Sequence, residues 1–360
     1  MIRSALLLAA VAFAIARAPY QFVFPRDHAS HPEYRTEWWY YTGHLRADDG
    51  RTFGYELTFF RVGMRPGDPP PRAGQSRWRG NELFAAHFAI SSRADKRFVY
   101  TERFSREALN QGGASQTRLA VRVGDWSLRG RPFARNAALE RMMLHAVSGK
   151  NAIDLAQTPE KPPAIHGQGG VSVKAACRSC ASHYYSYTRL RTEGRLTYEG
   201  KRLRVVGTSW MDHEFGSSEL APDQVGWDWF SIQLDDRREI MLYVLRQKDG
   251  SLTPQSSGSV VERNGSVRRL SLGDFRAQSS AEWKSPHTNA RYPSAWSIAV
   301  PRENIRLLVR PELDDQELVG SSGASSYWEG SVDVRDQTHP QKSIGEGYVE
   351  LTGYAQPLNL

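Results

Sequence analysis

A short aromatic pattern occurs twice in this 360-residue chain and constrains its fold more than any other feature. Residues 38–45, Trp-Trp-Tyr-Tyr-Thr-Gly-His-Leu, align with residues 227–234, Trp-Asp-Trp-Phe-Ser-Ile-Gln-Leu. Each copy is followed by two aspartates and then by an apolar run that ends in an arginine, Arg61 or Arg246. Repetition predicts two halves of shared architecture, and the chain length suits two domains of ordinary size.

The residues around both copies read as β-strands. The apolar runs 38–45 and 52–62 flank Ala-Asp-Asp-Gly, which predicts a hairpin. Ten Trp and an aromatic content of 11% favour strands and apolar pockets over helices. We therefore expect an all-β protein with two barrel-like halves. Further strand-like runs occur at 83–90, 196–206, 240–246, 297–300 and 348–354.

Residues 1–18 have the pattern of a secretory signal peptide. Arg3 precedes the apolar run 5–15, which is followed by small residues at alternating positions. The apolar run is too short to span a bilayer. The sequence thus predicts an exported protein, periplasmic if the host is a bacterium, with an N-terminal domain at 19–210 and a C-terminal domain at 211–360.

Charge and motifs exclude several classes of function. The net charge is +8, but acidic residues are interleaved with the basic ones and no nucleic-acid-binding motif accompanies them, so we expect no nucleic-acid partner. Glycine-rich phosphate loops, the Gly-x-Ser-x-Gly elbow and the His-Glu-x-x-His metal motif do not occur in the sequence. We therefore expect no cofactor.

The two cysteines, Cys177 and Cys180, are separated by two residues. In an oxidising compartment they can form a small disulfide, which would add modest stability. Together with His183 they could instead supply three zinc ligands, but no fourth ligand is evident nearby. We expect no metal site.

The segment 207–216 is the first candidate for chemistry because it places Asp212 and His213 among aromatic residues. A carboxyl group packed against indole rings loses hydration, which raises its pKa and keeps it protonated, as a general acid requires. His213 could relay that proton. The structural alternative is that Asp212 caps a turn while His213 forms a hydrogen bond across the domain junction.

Alternation along the strands selects candidate ligand-binding residues. In the run that starts at Trp38, every second side chain shares a face, so one set can line a cavity while the other packs outside. Ordinary core packing would produce the same pattern. The aromatic and acidic candidates chosen in this way are Trp38, Tyr40, Tyr185, Trp210, Trp227, Asp228, Trp229 and Tyr243.

Several of these segments are similar to a known family. Residues 24–28, 31–43, 181–189, 207–216 and 227–229 resemble the lipocalin-like AttH group related to carotenoid 1,2-hydratase, and the Glu-Trp-Trp-Tyr run is specific. The resemblance implies an all-β fold made of two tandem lipocalin-like antiparallel β-barrel domains.

The same resemblance implies three kinds of function. We favour an exported protein that binds an apolar lipid or isoprenoid, as an accessory to a membrane transporter. The alternative is a hydro-lyase in which Asp212 protonates an isoprenoid alkene and His213 places the water. A pericyclase that only folds its substrate is the third. Glu214 and Phe215 follow the Asp-His pair, where the hydratases carry a Trp, and this departure argues against carotenoid as the substrate.

Overall fold

The computed structural model describes residues 12–67, 80–109, 111–133, 136–218, 220–321 and 325–358. These residues form two antiparallel sheets and three short 3₁₀ turns, Arg26–His28, Leu272–Asp274 and Pro301–Glu303. The first sheet contains β1 Thr36–Ala47, β2 Thr52–Gly63, β3 Glu82–Ser92, β4 Arg97–Arg106, β5 Gly112–Ala114, β6 Ala120–Val123, β7 Trp126–Phe133, β8 Asn136–Ser148, β9 Asn151–Pro159, β10 Ala164–Ile165, β11 Ser172–Val173, β12 Ala181–Tyr198 and β13 Lys201–Gly216. The second contains β14 Gln224–Leu234, β15 Glu239–Gln247, β16 Ser257–Val261, β17 Val267–Ser271, β18 Arg276–Lys284, β19 Arg291–Val300, β20 Ile305–Pro311, β21 Glu317–Leu318, β22 Tyr327–Asp336 and β23 Ser343–Leu351.

In each sheet the first strand pairs with both the second strand and the last. In the first sheet β1 lies between β2 and β13, and the order is β4-β3-β2-β1-β13-β12-β9-β8-β7-β6-β5. In the second sheet β14 lies between β15 and β23, and the order is β17-β16-β15-β14-β23-β22-β20-β19-β18. The first sheet is a nearly closed barrel and the second a half-barrel. The prediction of an all-β protein with two barrel-like halves is confirmed.

The repeated aromatic run occupies equivalent places in the two halves. Tyr41 of β1 and Phe230 of β14 belong to the two hydrophobic cores and are 0% and 1% exposed. Trp38 and Trp227 instead pack in a third cluster on the opposite face of the two sheets. Alternation along a strand explains the division, and burial of each large core ring contributes about 1.5–3 kcal/mol.

The passage from one sheet to the other differs from the predicted domain division. Strand β13 continues through residue 210 to Gly216, and Thr36 of β1 pairs with Gly216 at its end. A division after residue 210 would therefore cut through a strand that is paired on both sides. The chain leaves the first sheet after Gly216 and enters the second at Gln224.

Residues 1–11, most of the predicted signal peptide, lie outside the described residues. The Ala14 N–H donates a hydrogen bond of 2.8 Å to the Glu33 carbonyl, and Ala16 is buried. Cys177 and Cys180 form a disulfide, which leaves no free thiolate for a metal ion. No helix within the described ranges has the length and apolar character needed to cross a membrane.

Candidate functional site

An aromatic cavity lies between the outer faces of the two sheets. Its empty space is about 750 Å³ including the opening to solvent, but the centre of a water molecule can enter only about 80 Å³ of it. The cavity is therefore a narrow slot, suited to a flat or chain-like apolar group. The lining consists of Trp38, Tyr40, Glu56, Thr58, Phe60, Lys174, Tyr184, Asp212, Glu214, Trp227, Trp229, Tyr243, Leu245, Tyr327 and Glu350.

Strand register brings the candidate acid to this wall. Tyr40 of β1 pairs directly with Asp212 of β13, and Ser186 of β12 pairs with Asp212 from the other side. Side chains of directly opposed residues share a face of the sheet. Asp212 therefore emerges beside Tyr40, and the Trp229 ring lies edge-on 5.1 Å from the Tyr40 ring.

Asp212 is only 4% exposed and accepts three hydrogen bonds. Tyr184 donates from its hydroxyl at 2.6 Å, Trp210 donates from Nε1 at 2.6 Å, and the Ser186 hydroxyl donates to the same oxygen as Trp210. Burial raises the pKa of Asp212 to about 7, and the three donors, which favour the anion, offset only part of that effect. The carboxyl can therefore hold a proton near neutral pH.

The polar groups around Asp212 are themselves held in place. Trp229 Nε1 donates to the Tyr184 hydroxyl at 3.1 Å, so the tyrosine is oriented from the opposite sheet. Lys174 forms a 2.9 Å ion pair with Glu214, and its ammonium lies 4.3 Å from the centre of the Tyr243 ring. The charge of Glu214 is thus balanced within the same wall, whereas Asp212 has neutral donors.

Three further carboxyl groups face the cavity or its margin, and the sequence analysis missed them. Glu56 of β2 lines the cavity, while Glu329 of β22 and Glu350 of β23 are direct cross-strand partners in the second sheet. Burial raises the pKa of Glu56 to about 7 and that of Glu350 to about 8, and it also raises the pKa of Glu329. A lone glutamate within the apolar run 53–59 was the available signal.

The predicted catalytic His213 faces the other way. Adjacent residues of a strand point to opposite faces, so His213 enters the barrel side and contacts Glu37 at 2.9 Å and Tyr185 at 3.1 Å. The prediction that His213 relays a proton to Asp212 therefore needs correction. Tyr185, also predicted to bind ligand, packs in the first core on the same side.

The group around Glu37 is an ion-pair network. Burial alone would raise the pKa of Glu37, but hydrogen bonds from His213 and His31, with the Arg61 charge, hold it well below its usual range. Each of His31, Glu37 and His213 has an atom that could bind a metal ion, and these three atoms lie within 4.8 Å of one another. The Arg61 guanidinium, 2.9 Å from Glu37, already supplies the cation there.

The structure brings six of the ten candidate residues to the cavity lining. Trp210 supports the site by donating to Asp212, and its ring lies edge-on to Trp229. Asp228 lies on the opposite face of β14, where it binds Arg246 at 2.9 Å and the Tyr354 hydroxyl at 3.0 Å. Asp228, Tyr185 and His213 are therefore not part of the lining. The six lining residues are Trp38, Tyr40, Asp212, Trp227, Trp229 and Tyr243.

Comparison with known proteins extends over most of the chain. A model of the AttH-like family matches residues 15–354. The chain is 23% identical to kievitone hydratase of Fusarium solani subsp. phaseoli over 250 residues, which are 68% of each protein. It is 22% identical to dehydratase asqC of Emericella nidulans over 206 residues, which are 55% of this chain and 57% of that one.

The crystal structure of an AttH protein from Nitrosomonas europaea superposes with a TM-score of 0.83 at 29% identity, covering 95% of this chain and 99% of that one. Kievitone hydratase from Nectria haematococca gives 0.67 at 15% identity over 96% and 97%, which is a likeness of fold.

Proposed function

This chain belongs to the AttH-like family, and we propose that it adds water to, or removes water from, an apolar substrate with Asp212 as the general acid. A hydratase and a dehydratase are among its distant relatives, which supports this class of reaction. The cavity supports an apolar substrate, since rings and aliphatic groups make up most of its lining.

The observation that carries the proposal is a buried carboxyl in an aromatic slot, whose raised pKa lets it hold a proton near neutral pH. In the hydration direction Asp212 gives its proton to one carbon of an alkene, and the other carbon becomes a cation. The faces of Trp38, Tyr40 and Trp229 would stabilise this cation while water adds to it. In the reverse direction the same carboxyl protonates a leaving hydroxyl group.

The carrier interpretation, which the sequence favoured, would use the same apolar lining. A carrier needs no buried titrating carboxyl, however, and Asp212 is held by three donors in a position that faces the ligand space. Desolvating such a group costs stability that binding alone does not require. We therefore place the hydro-lyase ahead of the carrier, and we keep export, proposed from residues 1–18, as its setting.

The test uses the whole protein with C10, C15 and C20 acyclic isoprenoid alcohols, namely geraniol, farnesol and geranylgeraniol, in ¹⁸O-labelled water. We expect the wild type to convert at least one of them to a product that carries one labelled water, as measured by mass spectrometry. Asp212→Asn should slow this reaction by about 10²–10⁴-fold.

Glu140→Gln is the matched control, because Glu140 is a buried carboxyl that does not line the cavity. This variant should retain the wild-type rate. If the wild type binds the isoprenoids and returns them unchanged, the hydro-lyase proposal fails and the carrier interpretation replaces it.

A further inference from the structure

We propose that Glu56 is the general base of the same reaction, taking the proton from the water that adds to the substrate. This inference rests on the proposed function and assigns the second half of its chemistry. Asp212 delivers one proton to carbon, and a second group must remove a proton from the water oxygen once the C–O bond has formed.

The register of the first sheet places the two carboxyls at a suitable separation. Thr58 of β2 pairs with Tyr40 of β1, and Tyr40 pairs with Asp212, so Glu56 lies two residues along β2 on the same face. Two interstrand spacings and two residues of rise separate the backbones of Glu56 and Asp212 by about 12 Å. Side chains that extend over Tyr40 leave room between them for a reacting carbon and a water.

One oxygen of Glu56 is held and the other is free to react. Oε1 accepts hydrogen bonds from the Thr58 hydroxyl at 2.9 Å and the Tyr327 hydroxyl at 3.1 Å. Oε2 is buried and has no hydrogen-bond partner among the described residues. The whole residue is only 1% exposed, and it lines the cavity. A buried carboxyl oxygen without a partner is costly, so this one is expected to meet a polar atom of a bound molecule.

Two neighbouring acids compete with Glu56 for negative charge, and each is held by a hydrogen bond of its own. Glu329 accepts from the Tyr40 hydroxyl at 2.7 Å, and Glu350 accepts from Trp227 Nε1 at 2.6 Å. Burial holds the pKa of Glu350 at about 8, above the value of about 7 for Glu56, and the charge of Glu56 raises the pKa of both neighbours. A base that titrates near neutral pH is efficient in this role.

A row of polar contacts behind Glu56 offers the accepted proton a route away from the cavity. The Tyr327 hydroxyl that contacts Glu56 lies 2.6 Å from His87 Nδ1, and His87 Nε2 lies 3.5 Å from Glu102. Burial lowers the pKa of His87 to about 4, so its ring is neutral. Tyr327 has one hydroxyl proton, which it donates to anionic Glu56 and, once Glu56 is protonated, can donate to His87 Nδ1 instead. Reversing each contact along this row converts neutral Glu56 back to its anion.

The complete hydration forms one C–H bond and one C–O bond and breaks the alkene π bond. The alkene π electrons take the proton of Asp212 and form a C–H bond, and a water lone pair then forms the C–O bond at the cationic carbon. The extra proton on that oxygen passes to the Glu56 carboxylate, leaving a neutral alcohol. Glu56 gives its proton to Tyr327 as Tyr327 gives its own to His87 Nδ1, and the Nε2 proton of His87 passes to Glu102 and then to solvent, while Asp212 takes one proton from solvent.

The experiment separates the two steps by following the three isoprenoid alcohols in D₂O. Reversible protonation by Asp212 places deuterium in recovered alkene, whereas hydration also requires the base. We expect Glu56→Gln to slow hydration by about 10²-fold or more while deuterium still enters recovered alkene. Asp212→Asn should lose both signals. Glu140→Gln should keep both, because Glu140 is a buried carboxyl outside the cavity that has its own oxygen without a hydrogen-bond partner.

Tyr327→Phe is the second variant, because it interrupts the exit path and keeps the Glu56 carboxyl, which the Thr58 hydroxyl still holds. It should slow hydration and leave deuterium incorporation unchanged.

Two results for Glu56→Gln would overturn the role of Glu56 while Asp212 chemistry stands. One is hydration at the wild-type rate, and the other is loss of deuterium incorporation together with hydration. A wild type that neither hydrates nor exchanges would overturn the proposed function itself.

Discussion

Replacing Asp212 with asparagine should change how the stability of the protein depends on pH. Burial raises the pKa of this carboxyl from 3.8 to about 7 in the folded state, while the unfolded chain keeps the ordinary value. Between these values the folded protein binds more protons than the unfolded one, so the free energy of unfolding falls as pH rises. Over about three pH units, at about 1.4 kcal/mol per unit, the free energy of unfolding should fall by about 4 kcal/mol.

The amide of the Asp212→Asn variant does not titrate, so this protein should lack the slope. The free energy of unfolding of Asp212→Asn minus that of wild type should therefore rise by about 4 kcal/mol between about pH 4 and pH 8, as measured by urea unfolding followed through tryptophan fluorescence. Ser186→Ala, which keeps the carboxyl, serves as the control and should retain the slope. A difference between Asp212→Asn and wild type that stays constant with pH would refute a neutral Asp212, and with it the general acid.

Three other outcomes follow from the geometry. Tyr184→Phe removes a hydrogen bond that favours ionised Asp212, so the falling limb of the pH–rate profile should move up by about one unit; an unmoved limb would contradict that contact. Glu37→Gln removes one of the two carboxylates paired with buried Arg61 and leaves Glu82 as the other, so it should cost about 1.5–3 kcal/mol in urea unfolding, yet leave the pH–rate profile unchanged because Glu37 faces away from the cavity. Cys180→Ser opens a short disulfide loop and should lower the free energy of unfolding by about 2 kcal/mol, with reduced wild type as the matching control.

The fold was largely predictable because its main signal is local. Alternation in β1 separated Trp38 and Tyr40 from Trp39 and Tyr41, and the structure places the first pair at the cavity and the second in the core. The repeated run predicted two related halves, and both copies form the fourth strand from one end of the strand order of their sheet. The resemblance to the AttH group is likewise confirmed.

The site was less predictable because strands distant in sequence assemble it. Glu56, Glu329 and Glu350 come together only through the order of β1, β2, β22 and β23 and the docking of two sheets, which no local pattern encodes. The error over His213 was avoidable. Asp212 and His213 are adjacent in a strand, and the alternation applied to β1 already assigns them to opposite faces.

Because the cavity lies between the two barrel-like sheets, each strand that borders it has two faces with separate tasks. One face packs in a core and the other contacts the ligand. In β1 the odd-numbered Trp39 and Tyr41 hold a barrel together, while the even-numbered Trp38 and Tyr40 meet the ligand. In β14 the parity is reversed, and Phe230 serves the core. Substitutions on the cavity face can therefore change what the slot binds without disturbing the cores, and neither half alone supplies both walls of the slot.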